Sequence, residues 1–305
     1  MDLPPLDQKI VESLNEISKA ENVLILSFIA PEDAIKVSPN SSSYASISPK
    51  DIYVLEEKIE TIKKEGGLPD KLHLILQTPG GQLSTSYKIA SYLRKSFKFI
   101  HAFVPYEAAS GGTLICLAAN SITLGEFGNL TPTDPQVIYN NQRVSSYRLI
   151  EAINNFEARF GKTNPLDIPS PWQQMAEKFD PIIYEKMNTD VWQSTFYGSR
   201  LLSKSGYTKE EATSIASWLA RTIYSHEHCI DIEEAKNLKL KINDDAKSLA
   251  LLQTYKKYLS VRIKERVDYH IIDTFYIKQE PIKEALKPSV PEIKSLGGLD
   301  NKEKI

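Results

Sequence analysis

The chain has 305 residues, 41% hydrophobic and 25% charged, with 37 basic against 39 acidic side chains and a net charge of −2. That is ordinary globular composition with room for a large core, and it lacks the basic surplus of a nucleic-acid binder. The two cysteines, Cys116 and Cys229, form neither a disulfide framework nor a zinc pattern, which points to a reducing compartment.

The N-terminus MDLPPLDQKI lacks the basic and apolar regions of a secretory signal, and no apolar run approaches the roughly 20 residues that cross a bilayer. A cytoplasmic protein without an integral membrane segment is expected. Residues 23–30 are short and continuously apolar, the mark of a buried strand ending at Pro31-Glu32-Asp33. The Ser/Pro/Asn-rich stretch 38–48 reads as a loop. Ser48-Pro49 then opens a helix as cap and first residue, and Gly66-Gly67 stops it.

A second buried strand, 71–78, runs into Pro79-Gly80-Gly81, and Ser84 is placed to cap a helix over 85–95. A third strand, 99–104, leads through Ala109-Ser110-Gly111-Gly112 to a small-residue helix over 113–120. Residues 121–124 make a fourth strand. This alternation of strands and helices predicts an α/β fold of parallel βα units whose sheet is buried on both faces.

From about residue 144 the spacing turns helical, over 145–160, 172–205, 209–224 and 231–238, with a break at Ser170-Pro171. Two starts carry capping boxes, Thr208 with Glu211 and Asp231 with Glu234. A further helix is expected from about 246 to 267, followed by an extended tail from Gln279. The reading is a main domain over 1–245 and a helical C-terminal extension and tail over 246–305.

Two segments could carry chemistry, Thr78-Pro79-Gly80-Gly81 and Ala109-Ser110-Gly111-Gly112, each between a parallel strand and a helix. Ligand sites lie outside the carboxyl ends of such strands. Acyl chemistry needs N–H donors aimed at an oxygen that becomes negative, and glycine permits the close backbone approach. Gly81 and Gly111 are candidate donors. Ser110, at a helix entrance, is a candidate nucleophile, although a serine there also makes an ordinary N-cap.

The run LILQTPGGQLSTSYKIASYL, then FIHAFVPYEAASGGTLICLAANSITLGEFGNLTPTDPQ, resembles the serine dehydrogenase proteinase family. That family is related to signal peptide peptidase A and the Clp proteolytic subunit within the Clp/crotonase superfamily. The close similarity spans about residues 71–137, and SHEHCIDIEEAKNLKL gives a weaker echo at 225–240. The resemblance implies a Clp/crotonase-like fold, Ser110 as nucleophile, and Gly81 and Gly111 as an oxyanion hole. It also implies a homo-oligomer.

For the base, the resemblance leaves alternatives. Where the Clp subunit has a histidine this chain has Asp134, and the Clp subunit's third triad member falls near Glu227. Signal peptide peptidase A takes a lysine from a later helix, for which Lys162, Lys178 and Lys186 are candidates. On chemistry, Ser110, His226 as base and Asp134 as orienter make a sensible triad, and a desolvated lysine makes the rival dyad. If extended, His226 and His228 would share one face. They could suggest a metal, but no third ligand follows at suitable spacing, so no metal or cofactor is expected.

Two departures from the family stand out. Lys239-Leu240 replaces a Gly-Leu pair, and Asn120 stands where relatives carry an acidic residue. The expected function is a serine endopeptidase acting on peptides or proteins, independent of ATP by itself since no Walker motif is present. The rivals are an acyl-thioester enzyme of crotonase type and a catalytically inactive scaffold or regulatory protein.

Overall fold

The computed structural model describes residues 5–31, 46–139, 141–177, 180–221, 225–265 and 270–278. Most of the loop read at 38–48, the Gln279 tail, Lys178 and the ends of the helices read over 209–224 and 246–267 therefore lie outside the described residues.

In chain order the elements begin with α1 (Gln8–Glu21), β1 (Val23–Ile29), α2 (Pro49–Gly66), β2 (Lys71–Gln77), α3 (Leu83–Ser96) and β3 (Phe99–Val104). Then follow β4 (Glu107–Ala108), α4 (Gly111–Cys116), β5 (Ser121–Leu124), β6 (Asn129–Leu130), β7 (Gln136–Tyr139) and β8 (Gln142–Ser145). Helices α5 (Ser146–Phe160), α6 (Ser170–Ala176), α7 (Pro181–Lys204), α8 (Lys209–Ala220), α9 (Ile232–Asn237) and α10 (Ala246–Arg262) precede β9 (Thr274–Phe275).

The central sheet has the order β5-β3-β2-β1-β9. Four strands are parallel and β9 joins β1 antiparallel. Register is set by alternation, because successive side chains leave a strand on opposite faces. Leu24, Leu26 and Phe28 of β1 and Leu72, Leu74 and Leu76 of β2 enter one core, which also holds buried residues of α2, α3, α4 and α8. Val23, Ile25 and Ile29, with Ile75 and Phe103, face the other way against α1 and α10. The fold is thus the expected α/β arrangement with a parallel sheet covered on both sides.

Residues beyond 245 are part of that second layer: Leu252, Tyr255, Tyr258 and Leu259 of α10 are wholly or almost wholly buried on the sheet. Tyr255 and Tyr258 thus pack internally.

Several local expectations are corrected. Helix α3 starts at Leu83 with Gln82 as N-cap, so Ser84 lies inside the first turn and does not cap it. Helix α4 takes in Gly111 and Gly112 and ends at Cys116. The single helix read over 172–205 is two, because Asp180-Pro181 supplies a new cap and first residue; the Asp180 side chain accepts from the Ile182 N–H. The hairpin β7–β8 lies where no strand was expected. Both capping helices begin as read, with Thr208 and Asp231 accepting first-turn N–H groups.

Candidate active site

The two glycine loops meet at the carboxyl ends of β2 and β3. Thr78 bridges to Ala108, donating its N–H to the Glu107 carbonyl and accepting from the Ala109 N–H at 3.0 and 2.9 Å. On its other side, the Gly80–Gln82 backbone bonds to Ile47: the Ile47 N–H donates to the Gly80 carbonyl and the Gln82 N–H to the Ile47 carbonyl, at 2.8 and 2.9 Å. Gly81 is required here, since a Cβ would stand 2.2 Å from the Ile47 nitrogen. A Cβ on Gly111 would lie 2.3 Å from Ser86 Oγ and 3.2 Å from the Gly81 nitrogen, so the two amide-bearing turns are in contact. No acceptor within the chain takes the Gly81 or Gly111 N–H among the described residues.

Ser110 stands between them as N-cap of α4, with φ 48° and ψ −105°. Positive φ at a residue with a Cβ costs on the order of 1–3 kcal/mol and persists only where surroundings impose it. Those surroundings are visible: the Ser110 N–H donates to Thr131 Oγ1 at 2.9 Å, and its carbonyl accepts from Leu114 N–H at 3.0 Å. The Ser110 side chain does not cap the helix and makes no hydrogen bond among the described residues. The plain N-cap role considered for this serine is therefore absent.

The segment after β6 is stitched to the same helix. Thr113 Oγ1 lies 2.7 Å from both the Ala108 and Thr131 carbonyls and accepts from the Thr131 N–H at 3.1 Å. Three residues beyond Thr131, the Asp134 carboxylate is wholly buried. One oxygen receives the His226 Nδ1–H at 2.7 Å, and the other the Gln136 amide at 2.8 Å. Helix α7 holds this turn through Ser194 Oγ, which donates to the Thr133 carbonyl at 2.7 Å.

With Nδ1–H given to Asp134, the neutral His226 imidazole keeps Nε2 as an acceptor. The ring is 30% exposed. His226 lies in a turn, so His226 and His228 do not share an extended face; His228 turns instead to Glu234 at 2.8 Å. Glu227 is exposed. Glu107, beside this segment, has its carboxyl held above the ordinary range by burial, with Asn129 opposing and Glu227 adding repulsion.

The structure thus brings Ser110, Gly81 and Gly111 together, and joins His226 to Asp134. Lys186 is elsewhere in character: 66% exposed on α7 and paired with Asp190 one turn on. Lys162 is also exposed. Neither stands in the buried, apolar surroundings that a lysine base requires. Among the described residues no cluster of three metal-ligating side chains occurs.

Sequence reasoning missed Thr131, Gln136 and the β7–β8 hairpin. The hairpin and helices α5 and α7 line a half-open apolar cavity of about 560 Å³, with residues such as Val137, Leu149, Phe156 and Met187 on its walls. The Gln136 contact gives the Asp-Pro-Gln motif a physical reason: the glutamine amide reaches the carboxylate two residues back. The family departures also resolve. Asn120 Oδ1 accepts from Arg94 and from the Ile100 N–H at 2.6 and 2.8 Å, doing the acceptor work of an acidic residue. Lys239 adopts φ 63°, the left-handed conformation that suits a glycine.

Residues 50–160 match the model of the family of ClpP-like SDH-type serine proteinases. Relatives over nearly the full length are two uncharacterized proteins of Methanocaldococcus jannaschii. MJ0137 is 25% identical over 88% of this chain and 84% of its own length, and MJ1495 is 23% identical over 91% and 85%. Among solved structures, a mutant of the 1510-N membrane-bound stomatin-specific protease aligns with a TM-score of 0.42 at 15% identity, covering 68% of this chain and 79% of that one. A second mutant of that protease, in complex with a substrate peptide, aligns at 0.41 and 16%, covering 67% and 74%. No helix among the described residues is long and apolar enough to cross a membrane.

Proposed function

We propose that this protein is a serine endopeptidase that cleaves peptide bonds through an acyl-enzyme at Ser110. The observation that carries the reading is the bond from His226 Nδ1–H to the wholly buried Asp134 carboxylate, across 92 residues of sequence. Such a pair fixes the imidazole tautomer with Nε2 as the base and stabilises the imidazolium formed when the serine proton is taken.

In the proposed reaction Ser110 Oγ attacks the substrate carbonyl while His226 Nε2 accepts its proton. The carbonyl oxygen, now negative, is received by the Gly81 and Gly111 N–H groups, which have no competing acceptor within the described chain. His226 returns the proton to the leaving amine, and water then repeats the sequence to free the enzyme. The Ser110 backbone, held at positive φ, leaves its side chain free of the capping bond that would otherwise occupy it. No cofactor or metal enters this scheme. The accompanying expectations are a cytoplasmic homo-oligomer, acting on peptides or proteins without its own ATPase.

The test is intact-mass labelling by a fluorophosphonate, with Ser110→Ala and His226→Ala controls. A single adduct on the native chain, lost in Ser110→Ala and strongly slowed in His226→Ala, is the expected result. No adduct on folded protein would overturn the peptidase reading and favour the non-catalytic scaffold; adduct formation unaffected by His226→Ala would remove His226 as base.

A further inference from the structure

A Thr-His-Asp chain lies directly beneath the first glycine loop, built from residues that the reaction scheme does not use. The Gly80 N–H donates to Thr78 Oγ1 at 3.2 Å. Thr78 Oγ1 lies 3.1 Å from His270 Nε2, and His270 Nδ1 lies 3.1 Å from Asp51 Oδ1. The other Asp51 oxygen accepts the Ser48 N–H at 2.7 Å, closing the capping box of α2. Thr78, His270 and Asp51 are 0%, 3% and 5% exposed, so no substrate reaches them.

The direction of the bonds follows from the donors present. Asp51 as a carboxylate only accepts, so His270 donates from Nδ1; in the neutral ring Nε2 then accepts the Thr78 hydroxyl proton. The hydroxyl oxygen is left to receive Gly80 N–H. The imidazole is further fixed by Phe28, stacked on it with centroids 4.3 Å apart. Three distant pieces of chain therefore converge: the α2 start, the loop after β2, and the segment that pairs with β1 through Ile271 and Ile29. Thr78 also faces the second loop, since its Cγ2 would lie 2.6 Å from a Cβ on Gly112.

We infer that Thr78, His270 and Asp51 are positioning residues that fix the orientation of the Gly80-Gly81 peptide and hence the aim of the Gly81 N–H. This deepens the peptidase reading and rests on it for its catalytic consequence, though the positioning itself can be read independently. A buried network with every member satisfied rigidifies its surroundings, and an oxyanion donor acts only when preorganised. Ser48 and Ile47 extend the device, because the backbone that ends on Asp51 is the one that clamps Gly80–Gln82 from the other side.

The test uses the full chain with Thr78→Val, which keeps the shape but removes the hydroxyl, Thr78→Ser, which restores it, and His270→Gln. Amide hydrogen exchange is followed at Ile47, Gly80 and Gln82, beside the saturation kinetics of fluorophosphonate labelling at Ser110. The expected result is faster exchange at those amides in Thr78→Val and His270→Gln, with β2 and β3 protection unchanged. The maximal labelling rate should fall about 10- to 100-fold at unchanged half-saturation, the loss typical of a misplaced catalytic group. Thr78→Ser should recover both. Unchanged exchange and labelling in Thr78→Val would overturn the inference, as would a change in half-saturation alone. Should the native chain take no adduct, the peptidase reading fails, and the exchange data alone decide whether the network holds the loop. If Thr78→Val does not fold, His270→Gln gives the same two readouts.

Discussion

Acid should destabilise this protein well before its carboxylates protonate, because one histidine is buried and a second half-buried beneath α10. His73 Nδ1 meets the Tyr255 hydroxyl at 2.7 Å and His101 Nε2 meets Thr123 Oγ1 at 2.8 Å, with the rings 5.8 Å apart. Burial pulls the pKa of each down to about 4, helped at His73 by Lys247 and Lys71, and at His101 by His73 itself. Glu21 lies 3.9 Å from His73 Nε2, but it is bound to Lys247 at 3.0 Å and does not offset the burial. With an unfolded value near 6.5, the unfolded chain binds these protons first as pH falls. The stability from neutral burial is therefore complete above about pH 6.5 and is lost as the pH approaches 4.

From pH 7.5 to pH 5 the loss comes to about 2 kcal/mol per histidine, about 4 kcal/mol for the pair. Urea unfolding followed by circular dichroism at pH 7.5, 6 and 5 measures it, with His73→Asn/His101→Asn as reference, since asparagine takes up no proton in that range. The native protein should lose stability steeply over this interval while the double variant shows a flatter profile. Equal slopes in the two proteins would refute the burial argument.

Asp134→Asn should lower the phosphonate labelling rate about 10⁴-fold while leaving the fold intact, because the amide no longer holds His226 in the tautomer that accepts a proton. Stopped-flow or mass-resolved labelling reads this; a loss under tenfold would place the orienting role elsewhere. Ser110→Gly should be more stable than Ser110→Ala by about 1 kcal/mol, since only glycine adopts the observed positive φ without strain. Comparing their urea midpoints checks it, and alanine matching glycine would argue against a strained Ser110. Lys239→Gly should raise thermal stability by about 0.5 kcal/mol, the relief of a left-handed lysine less the entropy glycine loses on folding. A lower melting temperature would contradict that balance.

The family resemblance and the parallel α/β core were legible because both are written locally. Continuous apolar runs such as Val23–Ile29, interrupted by glycine turns, allow little except strands buried on both faces. Thr78-Pro79-Gly80-Gly81 and Ala109-Ser110-Gly111-Gly112 could be singled out as candidate site segments because, although a glycine pair after a strand is an ordinary tight turn, two of them follow neighbouring parallel strands. The caps at Thr208 and Asp231 were legible for the same reason, since their partners are three residues apart, although only Thr208 closes a reciprocal box and the Glu234 carboxylate turns to His228 instead.

What only the tertiary structure decided is which distant groups are brought together. His226 reaches Asp134 across 92 residues and His270 reaches Asp51 across 219, and no periodicity in either segment marks those meetings. The exposure of Lys186 and the burial of Asp134 were equally invisible, since both follow from how α7 and the segment after β6 pack. A sequence specifies backbone preference within a few residues, whereas the environment that sets a side chain's chemistry is assembled by every element that folds against it.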